Sequence, residues 1–141
     1  MMQEENQIVD QAERVMKTLS EARDDMGKKI GMVTTSQIRK FLTAVNTVTE
    51  KVNMYKLENE KTKDSLPIEL QAQIKYLKVK LAYQIGRNNN RGKNPVKDFA
   101  EKAKLMEWID EIKDSVKAYE NFAHYVEALV AYHKFYGGKD K

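Results

Sequence analysis

Apolar residues recur along this chain at steps of three and four. Ile8, Ala12, Val15, Leu19, Ala22 and Met26 form the first such stripe, the pattern of an amphipathic helix with one buried face. Gly27-Lys28-Lys29-Ile30-Gly31 then reads as a short basic loop. Thr34 follows, with Gln37 three residues later. That spacing matches a capping box: the Thr34 hydroxyl accepts from the Gln37 amide, and the Gln37 side chain reaches back to the Thr34 amide. A second helix is expected from there, with Ile38, Phe41, Leu42, Val45, Val48, Val52 and Tyr55 on one face. Its Thr and Val content lowers its intrinsic propensity, so packing must hold it. Asp64-Ser65-Leu66-Pro67 marks the next boundary, because Pro suits a first helical turn and disrupts an interior. A third helix carries Leu70, Ile74, Leu77, Leu81 and Ile85 and is expected to end at Gly86, ahead of a basic loop over residues 87–93. Asn94-Pro95 reads as a cap and a first-turn Pro for a fourth helix with Val96, Phe99, Ala100, Ala103, Met106, Ile109 and Ile112. Asp114-Ser115 either breaks that helix or lies within it. Tyr119, Phe122, Val126, Leu129, Val130 and Tyr136 mark the last helix, stopped by Gly137-Gly138. No stretch alternates with period two for long enough to make a strand. The expectation is all-α: a compact single-domain bundle over residues 1–141, with five or six helices joined by short connections.

Composition agrees with this pattern and narrows the chemistry. With 6 Gly and 2 Pro in 141 residues, and 33% charged residues, the chain lacks the turn formers of a β protein. It has no Cys, which removes disulfides, thiolate metal sites and cysteine nucleophiles and suits a reducing compartment. No apolar run approaches the length of a membrane span. Residues 1–10 are polar and acidic, unlike a signal peptide. Cytoplasm is the expected location.

The net charge of +4 is unevenly distributed. Residues 1–60 carry nine basic and ten acidic side chains, residues 61–97 nine and two, and residues 98–141 seven and nine. Residues 70–97 contain no Asp or Glu, yet hold Lys75, Lys78, Lys80, Arg87, Arg91, Lys93 and Lys97. Solvated surfaces normally mix both signs, so a one-sign segment points to a polyanion partner. The alternative is a chance excess on a solubilising face.

Enzyme signatures do not appear. The chain has no phosphate-cradling glycine loop, no Gly-x-Ser-x-Gly and no His-Glu-x-x-His. His124 and His133, the only histidines, are nine apart on one helix, about half a turn out of phase, so they cannot share a ligand on one face. A histidine in an aromatic-rich packing helix is more often a satisfied core or edge residue. Glu107, Asp110, Glu111 and Asp114 form an acidic stripe; acid–base work would need one of them buried, and a solvated face or a contact for a basic neighbour is the simpler reading. No catalytic residue, metal ligand or cofactor site is expected.

The third helix carries the informative constellation. On one flank of its apolar stripe, Tyr76, Lys80, Tyr83 and Arg87 fall at i, i+4, i+7 and i+11; on the other lie Lys75 and Lys78. Lysine and arginine neutralise phosphates, and tyrosine rings support stacked bases, a combination that tolerates any nucleic-acid sequence. Against this, tyrosines commonly line the rim of a bundle core and lysines snorkel. Lys80, Arg87, Arg91 and Lys93 are the stronger phosphate candidates, since no acidic residue of their segment offsets them. Arg39 and Lys40, in the first turn of the second helix, extend the patch if helices two and three pack side by side.

Three segments resemble a known family. Thr34-Thr35-Ser36-Gln37-Ile38-Arg39-Lys40-Phe41, Leu77-Lys78-Val79-Lys80-Leu81-Ala82-Tyr83-Gln84-Ile85-Gly86-Arg87 and Val130-Ala131-Tyr132-His133-Lys134-Phe135-Tyr136-Gly137-Gly138 are similar, in this order, to the small subunit of type III-A CRISPR interference complexes, the Csm complex. The similarity covers roughly residues 32–138, and none of its motifs is catalytic. It implies a helical subunit present in several copies, forming the inner filament of a ribonucleoprotein used in antiviral defence. The implied partners are guide RNA, single-stranded target RNA, the backbone and large subunits, and adjacent copies, with target cleavage belonging to the backbone subunits. By motif match the resemblance carries over Arg39 and Arg87, with Lys78 and Lys80 in the same block; Arg91 and Lys93 rest on charge alone. A helical adaptor whose basic face binds an acidic protein partner is the alternative function.

Overall fold

The computed structural model describes residues 5–28, 30–59, 64–88 and 92–137. Lys29, Arg91 and Gly138 lie outside these residues. Among the described residues six helices follow in order: α1 (Glu5–Glu21), α2 (Thr35–Glu58), α3 (Ile68–Arg87), α4 (Pro95–Ala103), α5 (Leu105–Ile112) and α6 (Val116–Phe135). No sheet forms among the described residues, and none of the described helices is long and apolar enough to cross a membrane.

Several helix ends form where local sequence places them. Thr34 donates its amide to Gln37 Oε1 at 2.8 Å and accepts from Gln37 N at 3.2 Å, so the capping box that opens α2 is complete. Asn94 Oδ1 accepts from Lys97 N at 3.0 Å, with Pro95 in the first turn of α4. Beyond α6, Gly137 adopts φ +88, a left-handed conformation that a residue with a Cβ resists.

Other ends depart from expectation. Asp64-Ser65 does not cap α3, whose N-cap is Pro67 with no side-chain bond. The Asp64 carboxylate instead accepts from Lys117 N at 2.7 Å and Ser115 Oγ at 2.8 Å, so it caps α6, where a carboxylate complements the positive helix end. α3 runs through Gly86 to Arg87, and Asn88 closes it by donating Nδ2 to Gln84 O at 2.6 Å. The fourth helix expected from the apolar stripe is two helices. The chain turns at Lys104 into the left-handed region (φ 57, ψ 42), and the Ala103 carbonyl accepts from the buried Tyr125 hydroxyl at 2.9 Å. α5 ends at Lys113 (φ 51, ψ −115), so the chain does break beside Asp114-Ser115 before α6.

α6 is the central element and packs on α1, α2 and α5. Tyr119, Phe122, Tyr125 and Leu129 are fully buried along it, and Phe122 meets Phe41 of α2 edge-on at 6.4 Å. Burying each such side chain contributes about 1.5–3 kcal/mol. The buried tyrosine hydroxyls of α6 are satisfied: Tyr119 Oη lies 2.9 Å from Val45 O and 2.7 Å from Thr49 Oγ1. Burial pushes the Tyr119 hydroxyl up to about 12, opposed by the Thr49 bond, and raises Tyr125 similarly. His133 is buried, its Nε2 2.5 Å from Val33 O, which makes it a satisfied core residue; His124 is exposed beside Glu5 at 3.0 Å. α2 runs antiparallel to α6, linked by Lys56–Glu120 at one end and Val33–His133 at the other. α3 runs antiparallel to α2, linked by Lys51–Gln73 and Gln37–Gln84.

Candidate nucleic-acid interface

The antiparallel packing of α2 and α3 decides which basic residues meet. A helix turns about 100° per residue, so the two flanks of the α3 apolar stripe face different neighbours. The Tyr76, Lys80, Tyr83 and Arg87 flank borders α2. The Lys75 and Lys78 flank points the other way, toward α5, where Lys78 Nζ sits 2.6 Å from Asp110 Oδ1.

Between α2 and α3 lies an open groove of about 420 Å³. Lys40, Thr43 and Thr47 line it from α2; Lys80, Tyr83, Gln84 and Arg87 line it from α3. No carboxylate is among its described lining residues. Lys40, Lys80 and Arg87 are all exposed. Tyr76 and Tyr83 are 56% and 68% exposed and pack outside the core, so they do not form its rim. The Arg87 guanidinium lies 5.8 Å from the centre of the Tyr83 ring, a cation–π distance that presents both groups on one surface.

A second cleft, of about 890 Å³, continues past the end of α3. Gln37, Arg87 and Asn88 border both spaces. Lys93 and Lys97 line this second cleft, but so do Asp24, Asp98 and Glu101, so its field is mixed.

The candidate residues therefore divide. Lys40, Lys80, Tyr83 and Arg87 come together, and Lys93 stands in the adjoining cleft. Arg39 is exposed, but it lies about 100° around α2 from Lys40 and does not line the groove. Lys75 and Lys78 are on the opposite flank, and Asp110 offsets the charge of Lys78. Arg91 is outside the described residues. Glu107, Asp110, Glu111 and Asp114 are all exposed on α5 and the turn after it.

Attention to α3 alone misses half of the groove. Residues 26–49 are a second stretch without Asp or Glu, holding Lys28, Lys29, Arg39 and Lys40. Antiparallel packing lays the α2 part of that stretch beside the acid-free C-terminal half of α3. The same count that singled out residues 70–97 finds this segment. That Thr43, Thr47, Gln84 and Asn88 line the clefts had no signal in the sequence.

The chain also has relatives. A family model described as Csm2 Type III-A matches residues 4–139. A Streptococcus thermophilus protein named CRISPR system Cms protein Csm2 is 41% identical over 132 residues, covering 94% of this chain and 93% of the relative. A protein of the same name from Mycobacterium tuberculosis (strain H37Rv) is 34% identical over 115 residues, covering 81% and 84%. Another from Enterococcus italicus is 31% identical over 131 residues, covering 89% and 86%.

Proposed function

The chain belongs to the type III-A Csm2 family, and from that premise we propose that it serves the Csm complex by holding RNA, without catalysing its cleavage. As a small subunit of that complex it lies in the inner filament beside adjacent copies of itself, the backbone subunits and the large subunit. It grips the target RNA or the guide–target duplex through the sugar–phosphate backbone, in the cytoplasm, as one folded domain.

The observation that carries this reading is the groove between α2 and α3. Lys40, Lys80 and Arg87 converge there with no carboxylate among the lining residues. Phosphates are the natural occupants of such a surface, because each neutralised phosphate releases condensed counterions. Tyr83 adds an exposed ring on which a base or ribose can rest. Neither contact reads base edges, so the grip accepts any sequence, as a subunit that leaves sequence choice to guide pairing requires.

Purification of the tagged chain from its host tests the reading. Guide RNA and the larger subunits should come with it, and alanine at Lys40, Lys80 and Arg87 together should weaken target RNA binding for all sequences alike. Recovery of an acidic protein, with neither RNA nor those subunits, would instead establish the adaptor function.

A further inference from the structure

We propose that Gln37, Gln84 and Asn88 are positioning residues for the RNA groove: their side-chain amides clasp α2 to α3 and set the spacing of its cations. The inference rests on the RNA reading above.

Gln37 does more than cap a helix. Its Oε1 accepts from Thr34 N at 2.8 Å, which completes the capping box. Its Nε2 donates to Asn88 Oδ1 at 2.8 Å, and its main-chain carbonyl accepts from Gln84 Nε2 at 2.6 Å. Asn88 uses its Nδ2 on Gln84 O at 2.6 Å. The three amides thus close a circuit between the first turn of α2 and the last turn of α3, and all three residues are partly buried. The Gln37–Asn88 bond joins two side chains, so no orphan backbone group at either helix end needs it. Capping accounts for part of the circuit and leaves this link over.

The link does have a physical task. Lys40, Lys80 and Arg87 share a groove whose lining offers no carboxylate, so their mutual repulsion acts to splay α2 from α3. Apolar packing resists separation but is non-directional and does not fix the distance across the groove. Hydrogen bonds are directional and short-ranged, and the two that cross between the helices, both through Gln37, lie three residues from Lys40 on α2 and within four residues of Lys80 or Arg87 on α3, while the Asn88–Gln84 bond within α3 holds Asn88 in place. Without them the helices would still pack, but the cations would lose their common spacing.

The test uses the full chain. Because it has no Cys, spin labels attach selectively at Asn46→Cys on α2 and Val79→Cys on α3, both exposed positions. Asn88→Ala leaves the Thr34–Gln37 capping box intact; it should lengthen and broaden the inter-label distances while circular dichroism stays helical. For binding, the probe is a fluorescein-labelled oligouridylate at low salt. Asn88→Ala should lower its affinity by about 3- to 10-fold, and Arg87→Ala added to it should cost less than Arg87→Ala alone, because the two act on one contact. A bond that merely stabilised the fold would leave the two effects independent. Should Asn88→Ala unfold the chain, Gln84→Met, similar in shape, breaks the link to Gln37 O and is read the same way. Unchanged distances, or independent effects on affinity, overturn the inference while leaving the groove itself standing. If alanine at Lys40, Lys80 and Arg87 also leaves RNA affinity unchanged, the RNA reading falls with it.

Discussion

Removing Lys80 and Arg87 together should reduce the salt sensitivity of RNA binding by a calculable amount. Both side chains are exposed and both line the groove, whose described lining residues include no carboxylate, so each is placed to neutralise a phosphate. A single-strand phosphate contact contributes roughly 0.7 to the magnitude of the log–log salt slope, so the double alanine variant should lose roughly 1.4. Between about 50 and 200 mM salt, that difference makes wild-type affinity fall roughly sevenfold further than the variant's. Lys78→Ala is the internal control. Asp110 lies 2.6 Å from its ammonium, on the flank away from the groove, so the slope should not change. Stability should change by under about 1 kcal/mol, since both partners are partly exposed and such pairs contribute little. The assay is titration of labelled single-stranded RNA at several salt concentrations, in the reconstituted complex, with far-ultraviolet circular dichroism as the check on folding. A double variant that stays helical and keeps the wild-type slope would refute the reasoning, and equal losses from Lys78→Ala would refute the assignment to one flank.

Three further outcomes are expected. Lys113 holds φ 51 and ψ −115, a region that favours glycine, so Lys113→Gly should stabilise the protein by about 1 kcal/mol in denaturant titration; destabilisation would show that the Lys113 side chain makes a compensating contact. The Tyr119 hydroxyl is raised from 10.0 to about 12 in the fold, so the unfolded chain gives up this proton first as pH rises. Stability should be full below pH 10 and decline by up to about 3 kcal/mol toward pH 12, and Tyr119→Phe, though less stable at neutral pH, should show a shallower decline. If the chain is one domain, fluorescence of its single Trp, Trp108, stacked 4.4 Å from Tyr125, should report the same unfolding midpoint as circular dichroism; two midpoints would divide the bundle.

Helix type was legible because amphipathic periodicity is a local property: the apolar stripes of α2, α3 and α6, and that of α1 as far as Leu19, lie on the faces the fold buries, whereas α1 ends at Glu21 and Met26 beyond it is 84% exposed. The boundaries at Thr34, Asn94 and Gly137 were legible for the same reason, since a capping side chain bonds within three residues of itself and the left-handed φ of Gly137 needs only the absence of a Cβ. The break at Lys104 was not. The apolar spacing from Val96 to Ile112 continues across it, and what stabilises the interruption comes from α6, where Tyr125 bonds the Ala103 carbonyl and stacks on Trp108. The capping role of Asp64 was hidden for a similar reason: its partners, Ser115 and Lys117, are 51 and 53 residues away.

The candidate site divides along the same line. Sequence by itself determined that residues 70–97 form a one-sign segment and that its first part is an amphipathic helix, because charge and periodicity are properties of the chain. It also determined family membership, through motifs read in order. Only the tertiary structure decided which cations lie together. Lys78 and Lys80 are two residues apart, yet one is offset by Asp110 and the other faces Lys40 across a groove with no carboxylate in its lining. Two residues on a helix differ by about 200°, so neighbours in sequence meet opposite surroundings, and only the packing of α2 and α5 on either side of α3 settles which surroundings those are.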